Sequence, residues 1–280
     1  GGRSDDKRFG YRINAAGERL RSYVKGADGE REFISGAFDW HITPQALLQL
    51  DMDYQYKSQI TAPGYQLIRN EVLPTGVSAK TLLNDQPWTK PVDTKSANVG
   101  LRFEYLFAND WRASVAMNKH KFQRDDYTAF PYGCSNEGDG FYPGYCSNGD
   151  YDVYDYQSVG ESKSPFSAQA LLQGKLATGA IGHDLTFGAS LFRRKDRFGD
   201  YVYEYAGSSN IYRNAIVPPA PAELSTGPVF ERRKENERSV FVQDILTLSQ
   251  QFKLHAGLRH VQVKRAEFEV APSETSFTLP

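Results

Sequence analysis

Residues Ser96 to Phe122 read SANVGLRFEYLFANDWRASVAMNKHKF, and this stretch decides the fold. Before Ala108-Asn109-Asp110, the residues Ala97, Val99, Leu101, Phe103, Tyr105 and Phe107 alternate with Asn98, Gly100, Arg102 and Glu104. After it, Trp111, Ala113, Val115 and Met117 alternate with Arg112, Ser114, Ala116, Asn118 and His120. Side chains of a strand point alternately to its two faces, so each half is a strand with one apolar and one polar face, joined by a tight turn. A soluble sandwich usually keeps such alternation for about five or six residues. Here it lasts about ten or more per strand, the length a tilted strand needs to cross a bilayer. Tyr105, Phe107 and Trp111 gather beside the turn, where a membrane barrel carries interfacial aromatics.

The same pattern extends in both directions. Arg8 to Ala16 places Phe9, Tyr11, Ile13 and Ala15 against Gly10, Arg12 and Asn14. Arg31 to His41 has Ile34, Phe38 and Trp40 on one face, then turns at Thr43-Pro44-Gln45. Pro44 belongs in that turn because it cannot donate to a central ladder. In Leu47 to Tyr56, Leu48, Leu50, Met52, Tyr54 and Tyr56 oppose Gln49, Asp51, Asp53 and Gln55. Two carboxylates facing a soluble core would be prohibitive, but facing a wet lumen they cost little. Phe166 to Leu176 and Asp184 to Arg193 form a hairpin around Thr178 to Gly182. Ser239 to Leu248 and Phe252 to Lys264 form another around Ser249-Gln250-Gln251; Asp244 is out of place in the apolar set, so the alternation assigns no faces to Ser239 to Leu248. The short turns alternate with long polar connectors at Lys57 to Lys95, Arg124 to Lys163 and Arg197 to Asn236; Gly17 to Glu30 is intermediate and goes with the long set. Tight turns on one rim and elaborate loops on the other are the arrangement of a transmembrane barrel. A soluble sandwich seldom needs such long structureless connectors.

Composition narrows the classes. Tyr and Phe number 17 each in 280 residues, and helix patterning is scarce, which argues for an all-β chain. No run of about 18 apolar residues offers a transmembrane helix. The net charge of −1 gives no reason to expect a nucleic-acid partner. The opening GGRSDDKR has no signal-peptide pattern, as expected of a processed secreted chain or of a piece of something longer. Cys134 and Cys146 lie in one Gly-rich segment without a second Cys/His pair, so zinc is not expected. A disulfide closing this loop fits an oxidising compartment; the other reading is two free surface thiols.

Catalytic chemistry has little support. None of His41, His120, His183, His255 and His260 stands in an H-E-x-x-H arrangement, and no G-x-S-x-G or P-loop occurs. Asp150, Asp152, Asp155 and Glu161 partly mimic a calcium loop, but Tyr154 holds the fifth place and Asp155 the sixth, where the loop needs an oxygen ligand and a Gly. A solvated acidic loop is the simpler reading, and no metal site or enzyme is expected.

Three stretches resemble one family. Glu30 to Ile34 leads into Phe38-Asp39-Trp40-His41-Ile42-Thr43-Pro44 and Leu48 to Asp51, Phe241-Val242-Gln243-Asp244 follows, and then Leu254-His255-Ala256-Gly257-Leu258-Arg259. In order and spacing they are similar to an early Trp strand ending at a Thr-Pro turn, an F/Y-V-Q-D strand and an L-x-x-G-L/G-R strand of TonB-dependent outer-membrane receptors of the ferric-siderophore type. The resemblance implies a Gram-negative outer-membrane barrel of about 22 strands around an N-terminal plug. About nine strands are expected here, without the plug or the final strands, with Pro280 in mid-barrel. Such a wall has two open edges, so the chain alone is expected not to form a closed, working receptor.

What the resemblance further implies is TonB-energised uptake of a ferric siderophore, with no resident cofactor and with TonB engaged through the plug. Tyr and Trp bury area while offering a hydrogen bond, and Arg adds charge-assisted contacts. The expected ligand residues are therefore Tyr127, Tyr132, Phe141, Tyr142, Tyr145, Tyr151, Tyr154, Arg193, Arg194, Arg197, Tyr201 and Tyr203. The alternative for the tyrosines is loop packing. For the basic cluster it is lipopolysaccharide phosphate in the surrounding outer-membrane lipid. Arg102, Arg112 and Lys175 are expected to pair with carboxylates such as Glu104. The rival readings are a passive porin-type channel and a soluble secreted β-sandwich adhesin or lectin.

Overall fold

The computed structural model describes residues 1–108 and 110–269. Asn109 of the turn and the segment 270–280, with Pro280, lie outside the described residues. The strands run β1 (Gly2–Arg3), β2 (Phe9–Leu20), β3 (Gly29–His41), β4 (Ala46–Gln59), β5 (Val92–Leu106) and β6 (Arg112–Pro131). They continue as β7 (Asp150–Lys163), β8 (Phe166–Thr178), β9 (Ile181–Phe198), β10 (Val202–Asn210), β11 (Phe230–Thr247) and β12 (Lys253–Glu267). All pairings are antiparallel within one sheet, and no helix occurs among the described residues.

Two pairs of these strands are each the halves of one longer strand. β7 pairs with the upper part of β6 and β8 with its lower part, with a break at Ser164-Pro165. β9 pairs with β8, and after a short kink β10 continues upward along β7. Counting each broken pair once and setting the two-residue β1 aside leaves nine long wall strands, as the alternation implies. Among the described residues, the sheet path ends at β1 and β12 without their pairing.

The tight turns sit on one rim. Thr43 Oγ1 accepts the amides of Gln45 and Ala46, closing the Thr-Pro turn. Gly179, at φ 62°, and Ala180 suffice to join β8 to β9. Phe107 N donates to Trp111 O at 2.8 Å across the central turn. Trp111 then lies flat over Gly174, where a Cβ would come within 2.1 Å of its ring.

Register places the two sets of side chains as read from the sequence. Cross-strand rows such as Leu50, Leu101, Met117, Ala168 and Leu191 share the outer face. These apolar side chains are exposed rather than buried: Val240 is 58% accessible and Leu258 76%. A belt this wide is incompatible with water and matches hydrocarbon as its solvent. The inner face is a polar ladder. Asn98 donates to Asp53 at 3.1 Å, Gln49 to Asp39 at 3.0 Å, and Ser96 bonds His120 at 3.0 Å. Arg102 pairs with Glu104, and Lys175 lies 3.9 Å from Asp184; Arg112 instead donates to the amide oxygen of Gln173. Asp244 does point outward, but near the turn rim, where it bonds His183 at 2.6 Å and His183 in turn bonds Thr178.

The long connectors are shorter than the sequence reading gave. Arg124 to Lys163 is mostly strand, since β6 reaches Pro131 and β7 begins at Asp150; only 132–149 is loop. Arg197 to Asn236 likewise contains β10 and the start of β11, and Gly17 to Glu30 shrinks to 21–28. Above the membrane both strand faces meet protein or water, so hydropathy stops alternating while the ladder goes on.

The sorting by face makes a prediction. In the receptor carrying this chain, Met117→Arg, on the outer face, should destabilise the folded barrel by about 2–4 kcal/mol. Its neighbour Asn118→Arg, facing the lumen beside Gly100, should cost under about 1 kcal/mol. Denaturant unfolding in lipid vesicles checks this, and equal losses would contradict the assignment of faces.

Candidate functional site

Above the membrane the sheet becomes one layer of a lobe. β6 keeps its alternation through the bulge between Arg124 and Asp126, so two faces remain distinct. Ala129, Tyr151, Val153 and Val202 point to one side, where they are buried. Leu83, Tyr145, Ile211 and Val217 close over them, with Trp88 and Ile68 at the edge. The loops 60–91 and 211–229 are tied to this layer and to each other. Gln86 donates to Ala215 O at 2.8 Å and accepts Val217 N at 2.9 Å, while Trp88 Nε1 donates to Val217 O.

The loop 132–149 closes the top. Cys134 and Cys146 are disulfide-bonded and both buried. Gln66 Oε1 accepts the amides of Gly144 and Gly133, which binds this loop to 60–91. Glu137 accepts both the amide and the hydroxyl of Ser147, and these bonds hold its carboxyl below the usual carboxylate range.

The opposite face is continuous with the polar lumen and carries an aromatic surface. Tyr154 and Tyr203 stack at 4.6 Å with 4° between their planes. Phe130 meets Tyr203 at 6.0 Å and Tyr132 at 5.8 Å, and Tyr132 meets Tyr142 at 6.1 Å. Downward, Tyr156 stacks on Tyr201 at 5.9 Å and Tyr201 on Phe198 at 5.6 Å. The rings of Phe130, Tyr142, Tyr201, Tyr203 and Tyr205 are between about a third and a half exposed. Charges collect at the lower edge. Arg124 lies 2.8 Å from the nearly buried Glu161, which also takes Lys163 at 3.0 Å. Arg232 lies over the Phe230 ring at 4.0 Å.

Burial moves the phenols of Tyr142, Tyr154, Tyr156, Tyr201 and Tyr203 upward, toward the neutral form. Desolvation, with Tyr154 and Tyr132 beside it, pushes Tyr203 up to about 12. Burial and the hydrogen bond to Asp152 raise Tyr142 still further. The surface therefore offers flat apolar area and O–H donors rather than phenolate charge.

Of the twelve residues expected to meet a ligand, Tyr132, Tyr142, Tyr154, Tyr201 and Tyr203 come together on this face. Tyr145 (0% exposed) and Tyr151 (1%) are in the lobe core instead. Tyr145 Oη accepts Gln66 N, and Tyr151 Oη donates to Leu83 O at 2.7 Å. Tyr127 lies on the core side under Lys90, and Phe141 under Arg69. Arg194 faces the lumen side, clamped by Asp196 through two hydrogen bonds. Arg193 and Arg197 point outward, away from the aromatic face. The face also includes Arg124, Phe198 and Arg232, which sequence reasoning left out. The usable signal was parity: 154 and 156, and 201, 203 and 205, fall on one side of two paired strands. The four acids of the calcium-like run are strung along β7, with Asp152 bonded to Ser135 and Tyr142, and Asp155 to Gln157 and Ala220 N.

Comparison with known proteins agrees with this architecture. The family described as TonB dependent receptor-like, beta-barrel, matches residues 38–278. The chain is 22% identical over 258 residues to the ferrichrome outer membrane transporter/phage receptor of Escherichia coli K12, covering 86% of this chain and 34% of that protein. Among solved structures, the ferric preacinetobactin receptor BauA of Acinetobacter baumannii superposes with a TM-score of 0.76 at 22% identity, over 94% of this chain and 38% of the other. The ferripyoverdine receptor of Pseudomonas aeruginosa, bound to ferripyoverdine, gives 0.74 at 14% identity, over 95% and 34%. The chain thus spans about a third of the length of these relatives.

The disulfide has a local role that can be measured. Replacing both Cys134 and Cys146 by Ser should remove about 3 kcal/mol of constraint from the closed loop. Protease added to intact cells should then cut within 132–149, while the barrel keeps its heat-modifiable migration. Unchanged resistance would mean that the Gln66 and Glu137 bonds alone hold the loop.

Proposed function

Because the chain belongs to the TonB-dependent receptor β-barrel family, we propose that it supplies wall and ligand-facing loops to a receptor that takes up a ferric siderophore across the outer membrane, energised through TonB. The family places it in the outer membrane of Gram-negative bacteria, among receptors and transporters rather than enzymes. The observation that carries the ligand reading is the continuous aromatic face from Tyr142 through Tyr154 and Tyr203 to Tyr201, with Arg124 and Arg232 at its lumenal edge. A ferric siderophore is polar, frequently anionic and partly aromatic. Stacked rings supply area, neutral phenols donate hydrogen bonds to its oxygens, and the guanidinium groups favour its charge. Three curated or solved relatives carry such ligands in their names, which supports the class of substrate without choosing one.

Tyr154→Ala and Tyr203→Ala should each weaken ferric-siderophore binding at least tenfold, about 1.4 kcal/mol, in the receptor carrying this chain. Tyr127→Ala, on the opposite face, should leave affinity within about twofold. Equilibrium binding with radioactive iron reads both, and equal effects would move the ligand elsewhere. Because the Tyr203 phenol is pushed up to about 12, its ionisation should not alter binding between about pH 7 and pH 10. Iron uptake should stop on deletion of TonB; uptake that continues would favour a passive channel.

A further inference from the structure

Asp152 is only 1% exposed, yet its side chain lies on the aromatic side of β7, at the same parity as Tyr154 and Tyr156. Removing a carboxylate from water is costly unless its oxygens find donors. Among the described residues no ion pair reaches this one, and two hydroxyls serve instead. Ser135 Oγ donates to Oδ1 at 3.0 Å, and Tyr142 Oη donates to Oδ2 at 2.9 Å. The backbone of the same residue holds the start of the loop. Tyr132 N donates to Asp152 O and Asp152 N to Gly133 O, each at 2.9 Å. Asp152 thus grips the loop 132–149 at Tyr132, Gly133, Ser135 and Tyr142.

These bonds fix where the Tyr142 ring stands and which way its proton points. The ring packs against Gly133 and Gly140, where any Cβ would collide with it. Gly133, at φ 78°, also needs a backbone conformation that other residues seldom adopt. The ring remains half exposed beside Tyr132. A carboxylate can only accept, so the Tyr142 proton is committed to Asp152. Bonds to an ionised acceptor are about twice as strong as neutral ones, and a low local dielectric strengthens them. The Tyr142 oxygen therefore presents its lone pairs at the upper edge of the aromatic face.

We propose that Asp152 is a positioning residue for the ligand face: it makes the Tyr142 phenol a hydrogen-bond acceptor, so the upper edge of this face selects ferric complexes that present an amide N–H or a hydroxyl there. An anionic oxygen at the same place would meet lone pairs with a buried carboxylate behind them, and it is disfavoured. A complex without a donor there leaves the Tyr142 oxygen desolvated and unpaired, which is also costly. Discrimination thus comes from what the edge rejects as well as from what it binds. The role given to Asp152 rests on the reading of this face as a siderophore site.

The test uses the receptor carrying this chain, in mild detergent, with radioactive-iron complexes of trihydroxamates and triscatecholates that bear secondary amides. The complex that wild type binds most tightly is taken forward. Asp152→Ala and Tyr142→Phe should each weaken its binding at least about fivefold, and the double variant should be within about twofold of either alone, because the two residues act as one unit. Asp152→Asn keeps an oxygen for Tyr142 and gains an amide donor for Ser135, so it should restore affinity to within about threefold of wild type. The same complex N-methylated at its amides should bind wild type at least about fivefold more weakly, and Tyr142→Phe no more weakly than the parent complex does. Wild-type affinity in Tyr142→Phe, additive losses in the double variant, or an Asp152→Asn as weak as Asp152→Ala would overturn the proposal and leave Asp152 a mere support of the loop. Should Asp152→Ala fail to show heat-modifiable folding, Asp152→Asn, Tyr142→Phe and the N-methylated complex carry the test with the same expectations. Tyr154→Ala and Tyr203→Ala separate the two readings. If they lose binding while Tyr142→Phe does not, only the role of Asp152 falls. If they also bind as wild type does, or if wild type binds none of these complexes, the siderophore face is refuted and the role of Asp152 with it.

Discussion

Hydrocarbon offers a backbone no hydrogen-bond partner, and the rest of this structure depends on that constraint. The ladder from β2 to β12 is unbroken through the apolar belt, and each strand between these two edges is satisfied by its neighbours on both sides. Its irregularities are all higher up. Pro165, which has no amide to give, stands at the junction of β7 and β8, where its carbonyl still accepts His120 N and the preceding Ser164 N donates to Lys195 O. The register shifts at Arg124/Asp126, Glu231/Arg233 and Tyr205/Gly207 also occur on the loop side of the wall. A bulge leaves a residue outside the ladder, and only water or protein can accept it.

The same constraint inverts the usual distribution of apolar residues. Within the belt they are exposed, and no core forms around them. The compact core of Leu83, Tyr145, Tyr151, Val153 and Ile211 lies in the lobe, where the solvent is water and burial is again favourable. There the loops 60–91 and 211–229 supply the second layer that lipid supplies below. The lobe is stitched by side-chain bonds to backbone, such as those of Gln66, Gln86 and Trp88, because its loops have few ladder partners of their own.

Legibility follows from which solvent each segment meets. Leu50, Leu101 and Met117 could be placed on the outer face from sequence because lipid and lumen impose opposite demands on successive residues. Asp150 to Tyr156 could not be read as strand, since one face is buried by protein and the other is aromatic, so both sides carry Tyr and Asp. That is also why Tyr145 and Tyr151 looked the same as Tyr142 and Tyr154. Composition marks a tyrosine-rich lobe, but which rings enter its core depends on loops that arrive from far along the chain, as in the bond from Tyr151 to Leu83. Asp244 is the converse case. It stood awkwardly in the apolar set and left the faces of Ser239 to Leu248 unassigned from sequence, and its tolerance comes from His183, a partner from the neighbouring strand at the rim.

The proposed ligand face gains from being built mainly on strands. Tyr154, Tyr156, Tyr201, Tyr203 and Phe130 are on or beside β6, β7 and β10, whose positions the core on the reverse side fixes. Tyr142 belongs to the disulfide-closed loop and Tyr132 stands at its first position, tied by Tyr132 N to Asp152 O. Rings stacked before a ligand arrives lose little freedom when it binds, whereas the same aromatic area on free loops would have to be ordered first. A floor built on strands, with a rim bonded to it by Gln66 and Asp152, lets the barrel wall keep its register through the membrane while single rings above it differ. The sheet also keeps the two kinds of cation apart: Arg124 and Arg194 share the lumenal side with their carboxylates, and Arg193 and Arg238 stand on the outward side without them. A residue number odd or even on one strand thus decides which face of the wall carries its charge.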